Sequence, residues 1–370
     1  MLIGIDASRA AYAQRTGTEN YSLFLIRALL EQDEQNSYRL YFSQPPAQDL
    51  FTLRPNAQMR VMPFPRLWTH LRLSWEMLTA PPDVLFVPAH VLPLWHPRRC
   101  LVTVHDLGYL HYPESHTPWA RRYLQWSTSF NVRAATHVIA DSEATQRDLI
   151  EHCQAQAERI NVIYPGYDPS FRPVRDETRL NSLFERYAIR APYFVHVGTL
   201  QPRKNLVRLL ESFADVVQGD QNVHLVIVGK KGWLYEPLFA RVQQLRLEER
   251  VHFTGYLPQE DLPALITSAR AFVLPSLCEG FGFPVLEAMA CGTPVICSNV
   301  SSLPEVAGDA AMLVDPLDTG QLAEAMRRLL ADDSLRDDFA ERGLRQASRF
   351  SWGKCAQQVL DLLGQVARMP

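Results

Sequence analysis

The chain has 370 residues, 47% of them hydrophobic and 21% charged, with a formal charge of -3 at pH 7. That length exceeds one ordinary domain and suits two, each large enough to bury a full core. The near-neutral balance leaves no electrostatic footprint for nucleic acid, and six cysteines without a C-x-x-C pair indicate neither a zinc site nor a disulfide framework.

No run of eighteen apolar residues occurs and the chain opens directly as a strand, Leu2 to Ile5, so neither a signal peptide nor a membrane span is predicted and a cytoplasmic setting is expected. A polar loop from Asp6 ends in Thr16-Gly17-Thr18, and Tyr21, Phe24, Leu25, Ala28 and Leu29 then recur at helical spacing. Gly17 therefore stands at a strand-to-helix turn, where a simple turn glycine and a backbone approaching a ligand read alike; Thr16, Thr18 and Glu19 lie beside it. Tyr38 to Phe42, Val61 to Pro63 and Asp83 to Pro88 are the next strands. Between them, Phe64 to Leu78 carries Arg66, Arg72, Trp68 and Trp75, which fits either an amphipathic helix packed on the sheet or one resting on an anionic membrane; residues 119 to 133 share the ambiguity.

Leu101 to Leu107 is a buried strand that delivers His105 and Asp106 at its carboxyl end, the edge where open α/β sheets bind ligands. His111 and His116 follow, but spacings of six and five in a loop containing Pro113 match no usual zinc pattern. Val138 to Ala140 leads to Ser142, an N-cap with Glu143 just inside the helix. The proline-rich stretch from Val162 to Pro173 closes the first sheet, and new patterns begin at Tyr193. After that strand come Gly198, Thr199, Arg203 and Lys204, a glycine turn with two cations before a helix capped by Asn205; this is a phosphate-binding arrangement or a pair of surface cations. Val251 begins a strand that ends at Tyr256. Ala271 to Leu274 is a buried strand, Gly280 and Gly282 open its loop, and Pro284 fits the first turn of a helix closed by Gly292 and Pro294. Glu279 and Glu287, one in the loop and one in the first helical turn, can accept hydrogen bonds from hydroxyls beside an anion site.

The string Glu279-Gly-Phe-Gly-Phe-Pro-Val-Leu-Glu287-Ala-Met-Ala-Cys-Gly-Thr-Pro-Val resembles the E-x7-E signature of retaining glycosyltransferase family four. That resemblance, strongest from 193 to 316, implies an α/β chain of GT-B fold, with two Rossmann-like domains of parallel strands facing across a cleft and a C-terminal helix crossing back to the first. It divides the chain into residues 1-187 for the acceptor, 188-350 for the nucleotide sugar and 351-370 for the returning helix. It further implies that Glu287 binds ribose, that Glu279 meets the donor sugar, and that the Gly280-Phe281-Gly282 backbone meets sugar and phosphates. His105, in a string resembling the family's Thr-Val-His-Asp-Leu motif, would also meet the sugar, and Gly17 would lie near the phosphates. Gly198, Thr199, Arg203 and Lys204 resemble the segment that holds the diphosphate, although many members have an arginine where this chain has Thr199. The base would pack near Tyr256. The function implied is sugar transfer from a nucleotide sugar, with the wording nearest to bacterial polysaccharide mannosyltransferases and so to GDP-mannose, onto a glycan or lipid-linked acceptor. The nucleotide sugar is a substrate and no cofactor is expected; the lack of an Asp-x-Asp triplet argues for metal independence. A nucleotide-sugar epimerase, a phosphorylase-like enzyme and an inactive nucleotide-binding module are the rival readings, and peripheral contact with a membrane stays open.

Overall fold

The computed structural model describes residues 1–12, 14–89, 91–220 and 222–369. Short apolar runs form its two parallel sheets. The first holds β1 (Leu2–Asp6), β2 (Ser37–Phe42), β3 (Ala57–Val61), β4 (Val84–Val87), β5 (Cys100–Val104), β6 (His137–Ala140) and β7 (Ile160–Val162), in the order β3-β2-β1-β4-β5-β6-β7. The second holds β8 (Tyr193–Val197), β9 (His224–Val228), β10 (Val251–Gly255), β11 (Ala271–Leu274), β12 (Val295–Ser298) and β13 (Ala311–Val314), in the order β10-β9-β8-β11-β12-β13. Strands β4, β5, β9 and β11 are buried throughout, as strands covered by helices on both faces must be.

The chain divides into two compact units. Unit 1 comprises residues 1–110, 117–166 and 350–370, and unit 2 residues 111–116 and 167–349. The chain thus changes unit at 166/167 and not at 187/188. The helix Glu177–Tyr187, which composition alone leaves on the first side, is held by unit 2: Leu183 is buried, Phe184 meets Tyr193 edge-on at 6.0 Å, and the Tyr187 hydroxyl donates to Asp261 at 2.6 Å.

The last helix, Trp352–Arg368, returns to unit 1 and packs on the helix Gly17–Gln32. Trp352 stacks on Phe24 at 5.9 Å and meets Tyr21 edge-on at 5.6 Å, while the Arg99 guanidinium donates to the Met369 carbonyl at 2.7 Å. This packing needs Gly166 to lack a side chain, since a Cβ there would sit 2.2 Å from the Trp352 nitrogen.

Two local expectations change. The strand placed at Val61 to Pro63 lies earlier, at Ala57–Val61. Phe64 to Leu78 is not one helix but a chain turn, a π-helical turn at Thr69–Leu73 and a short helix Ser74–Thr79. Leu67 takes a left-handed φ of 56°, which interrupts any helix there, and Trp68 folds inward to donate from its indole to the Met62 carbonyl at 2.7 Å. Trp75 and, on the helix Pro118–Ala134, Trp119 and Trp126 remain exposed. Among the described residues no helix is long and apolar enough to cross a membrane.

Candidate active site

In unit 2 the loop between β11 and the helix Phe283–Ala290 is tied down from three sides. Asn205 donates to the Pro275 carbonyl at 3.0 Å and to the Pro316 carbonyl at 2.7 Å, so it does not cap its helix by side chain as its position suggests. Arg203 donates to the Cys278 carbonyl at 2.7 Å, and its own carbonyl accepts from the Leu277 amide at 2.9 Å. After β12, Ser301 accepts from the Glu279 amide at 2.9 Å, and the Ser302 hydroxyl lies 2.9 and 2.8 Å from the carbonyls of Glu279 and Phe281. Gly282 then turns the chain with φ of 112°, a left-handed value that a side chain disfavours, and the helix follows. Phe281 is buried against Phe283.

Arg203 and Lys204 are not a pair of surface cations. Lys204 is buried and its Nζ donates to Glu279 at 2.5 Å, with Arg203 Nη1 at 3.4 Å from the same carboxylate. Burial alone would raise the Glu279 pKa, but the charges of Lys204 and Arg203 outweigh it and hold the carboxyl down to about 2. The three residues thus form one ionised cluster, 75 positions apart in sequence. His196 adjoins it. Its Nδ1 donates to the Val273 carbonyl at 2.9 Å, its buried Nε2 has no partner among the described residues, and burial with the Lys204 charge pushes its pKa down to about 4. A Cβ on Gly198 would come 3.2 Å from that nitrogen and 3.4 Å from the Lys204 Cε, which explains glycine at that turn. Thr199 lies next to it, half-buried.

Glu287 is in the second turn of its helix, not the first, and is half-buried with no hydrogen bond to its carboxylate among the described residues. Burial pushes its pKa up to about 8, helped by the charge of Asp168. Tyr256 stands half exposed just beyond β10, at the carboxyl edge of the same sheet. Sequence reasoning missed His196, Asp168 and Ser302. The first two carry no motif, and Ser302 was legible only as part of a helix start.

In unit 1, β5 and β6 are neighbours, and their ends bring His105 to Asp141. His105 Nδ1 donates to Asp141 Oδ2 at 2.5 Å, and Nε2 lies 3.0 Å from the accepting Pro88 carbonyl. Burial works against the imidazolium, but the Asp141 carboxylate prevails and the His105 pKa is raised. Both ring nitrogens are engaged by the protein, so a ligand reaches them only by displacing one of these partners. Gly17 is the first residue of its helix; Thr16 before it donates its amide to Glu19 at 3.0 Å, which gives Glu19 a capping role. Ser142 caps its helix by accepting from the Thr145 amide.

Two Rossmann-like units of parallel strands are the architecture of the GT-B fold. Residues 184–346 match the family described as glycosyl transferases group 1, and residues 16–171 match glycosyltransferase family 4. The chain is 30% identical over 364 residues to the O-antigen chain mannosyltransferase B of Escherichia coli, spanning 94% of this chain and 95% of that protein. It belongs to the group 1 glycosyltransferases. Among solved structures, the sucrose-phosphate synthase of Thermosynechococcus elongatus superposes with a TM-score of 0.78 at 22% identity, covering 99% of this chain and 98% of that one. An Anabaena protein, HepE, in complex with UDP-glucose gives a TM-score of 0.77 at 19% identity, covering 98% and 99%.

Proposed function

We propose that the protein moves a mannosyl group from GDP-mannose to a glycan or lipid-linked acceptor with retention of configuration and without a metal ion. The observation that carries this reading is the Arg203–Lys204–Glu279 cluster at the foot of the Gly280-Phe281-Gly282 loop. Sugar transfer leaves a nucleoside diphosphate, and its growing charge needs fixed positive groups in a site of low dielectric. Lys204 and Arg203 are buried or nearly so, so they supply that field without a divalent ion. Glu279 keeps the two cations neutralised until the donor arrives and then accepts from sugar hydroxyls. An ionised carboxylate so firmly paired is a poor covalent nucleophile, which favours front-face substitution. Glu287, with no hydrogen bond to its carboxylate among the described residues, accepts from the ribose hydroxyls in this reading. Unit 2 is in this reading the donor unit and unit 1 the acceptor unit. The mannosyl assignment is supported by the named activity of the Escherichia coli relative.

A ligand raises stability by RT ln(1 + [L]/Kd), so thermal shifts with GDP, UDP, ADP and dTDP identify the base. The largest shift is expected with GDP, followed by release of GDP and a new glycoside when GDP-mannose and acceptor are supplied. Equal shifts with all four nucleotides refute the GDP assignment. Peripheral contact with a membrane is a second part of the proposal. It is favoured by exposed Trp75 and Trp119, at 63% and 81% exposure, close in sequence to the exposed cations Arg66, Arg121 and Arg122.

A further inference from the structure

The order of the second sheet reverses at β8, with β9 and β10 on one side and β11 to β13 on the other, and the crevice at such a reversal is where open α/β sheets hold ligands. His196 stands at that place. Pairing of β8 with β11 runs from Phe194 opposite Ala271 to Val195 opposite Phe272 and goes no further, so the two strands part at His196. Its Nδ1 donates at 2.9 Å to the carbonyl of Val273, the residue just past the last pair. That bond fixes the tautomer. With the proton on Nδ1, Nε2 carries a lone pair, and this buried acceptor has no partner among the described residues. Buried polar atoms left unpaired are rare enough to need a reason. Burial and then the Lys204 charge hold the ring's pKa down to about 4, so it is a neutral acceptor near pH 7.

The nearest charged donor is Lys204. A Cβ on Gly198 would lie 3.2 Å from His196 Nε2 and 3.4 Å from the Lys204 Cε, so imidazole and lysine stem border one small space that glycine leaves open. In the structure the Lys204 ammonium is turned to Glu279, at 2.5 Å. Glu279 is also the group that accepts from the donor sugar in the reading above. As it turns to the sugar, the buried ammonium needs another acceptor, because an uncompensated buried charge is costly. An ammonium has three donors, enough to hold a phosphate oxygen and an imidazole at once.

We propose that His196 is a positioning residue for Lys204: its Nε2 accepts from the ammonium once the donor sugar engages Glu279, and so keeps that charge aimed at the leaving diphosphate. The inference rests on unit 2 holding the nucleotide sugar. Without the sugar Lys204 keeps Glu279, so His196 matters for turnover of the full donor and little for binding of the bare diphosphate.

Asparagine and glutamine divide the two functions of the ring, since an asparagine amide reaches the place of Nδ1 and a glutamine carbonyl the place of Nε2. Diphosphate release from GDP-mannose and UDP-glucose, with water as acceptor, is measured for each variant, and calorimetric affinity for GDP and UDP shows that each is folded. His196→Asn should lower kcat about ten- to thirtyfold with KM and diphosphate affinity within about twofold, and His196→Gln should restore kcat to within about threefold of wild type. In a Lys204→Met background His196→Asn should change nothing further. Asparagine ranking with or above glutamine would show that only the Val273 tie matters, and a further loss in the Lys204→Met background would show that His196 acts elsewhere; either overturns the inference. Wild type labelled with 15N-histidine needs no substitution. Its His196 Nε2 resonance should move upfield with the nucleotide sugar that is turned over and stay in place with the matching diphosphate; movement with both or with neither overturns the inference. Release by wild type from neither nucleotide sugar, with no binding of GDP or UDP, fails the donor reading as well, whereas normal release with the variants ranked the other way fails this inference alone.

Discussion

Replacing Glu287 by glutamine should stabilise the unliganded protein at alkaline pH and leave it unchanged in acid. In the folded chain this carboxyl holds its proton up to about pH 8, against 4.5 when exposed. Between those values the native state binds more protons than the unfolded one, so stability falls as pH rises through that window and levels off above it. The gap, at about 1.4 kcal/mol per tenfold change in proton affinity, bounds the loss at about 5 kcal/mol; partial solvent access leaves about 2 to 3 kcal/mol. For a unit of this size that is a rise in Tm of roughly 5 to 10 °C for Glu287→Gln at pH 9, and none at pH 4. Thermal unfolding followed by circular dichroism from pH 4 to 9, without nucleotide, measures both curves. Parallel curves across the window would show that the carboxyl is ordinarily ionised and refute the reasoning. At pH 9, where the Glu287 carboxyl is ionised, the same variant should bind nucleoside diphosphate about ten- to a hundredfold more weakly, because the ribose loses a charged acceptor. More stability and less affinity in one substitution is the mark of a side chain kept for a ligand.

Glu279→Gln should leave nucleoside-diphosphate affinity nearly unchanged but lower turnover of the full donor by about one to two decades, measured by steady-state release of the diphosphate. It should also destabilise by about 3 to 5 kcal/mol at neutral pH, since buried Lys204 loses its partner, and wild type should lose that difference as pH falls from 4.5 toward 2, where Glu279 takes up its proton. Arg203→Ala and Lys204→Met should weaken diphosphate binding in calorimetric titration, and unchanged affinity in both would remove them from the phosphate site. Binding to anionic vesicles in sedimentation assays should fall with added salt and with Trp119→Ala or Arg121→Ala; no binding at low salt ends the membrane proposal.

Strand positions were legible because a strand covered on both faces is a continuous apolar run, as in Val84–Val87 and Ala271–Leu274. The glycine loop was legible for a related reason: Gly280, Gly282 and Pro284 each impose a backbone restriction that few other residues meet. Partnership was not legible. From their spacing alone Arg203 and Lys204 read equally as a phosphate site or as surface cations, because the carboxylate that buries them lies 75 residues on, joined only when β8 and β11 pair. Asp141 joins His105 by the same route through β5 and β6. Asn205 looked like an ordinary cap, yet its left-handed φ of 58° frees its amide to hold two loops. The Phe64 to Leu78 periodicity failed because burial of Trp68 outweighed local helix preference.

The close approach at Gly166 also governs how the chain can be cut. Gly166 is the last residue of unit 1 before the long excursion, and its neighbours Ser351 and Trp352 follow the excursion's return at Phe350, whose ring meets Tyr164 at 5.7 Å. Residues 167–349, all of unit 2 but 111–116, therefore leave and re-enter unit 1 through adjoining positions, as an insertion into a surface loop does. Chain ends that already touch can be spliced with a short linker, and the excised segment can be circularly permuted, without stretching either sheet. That arrangement offers a seam at which residues 167–349 can be exchanged while unit 1 keeps its core.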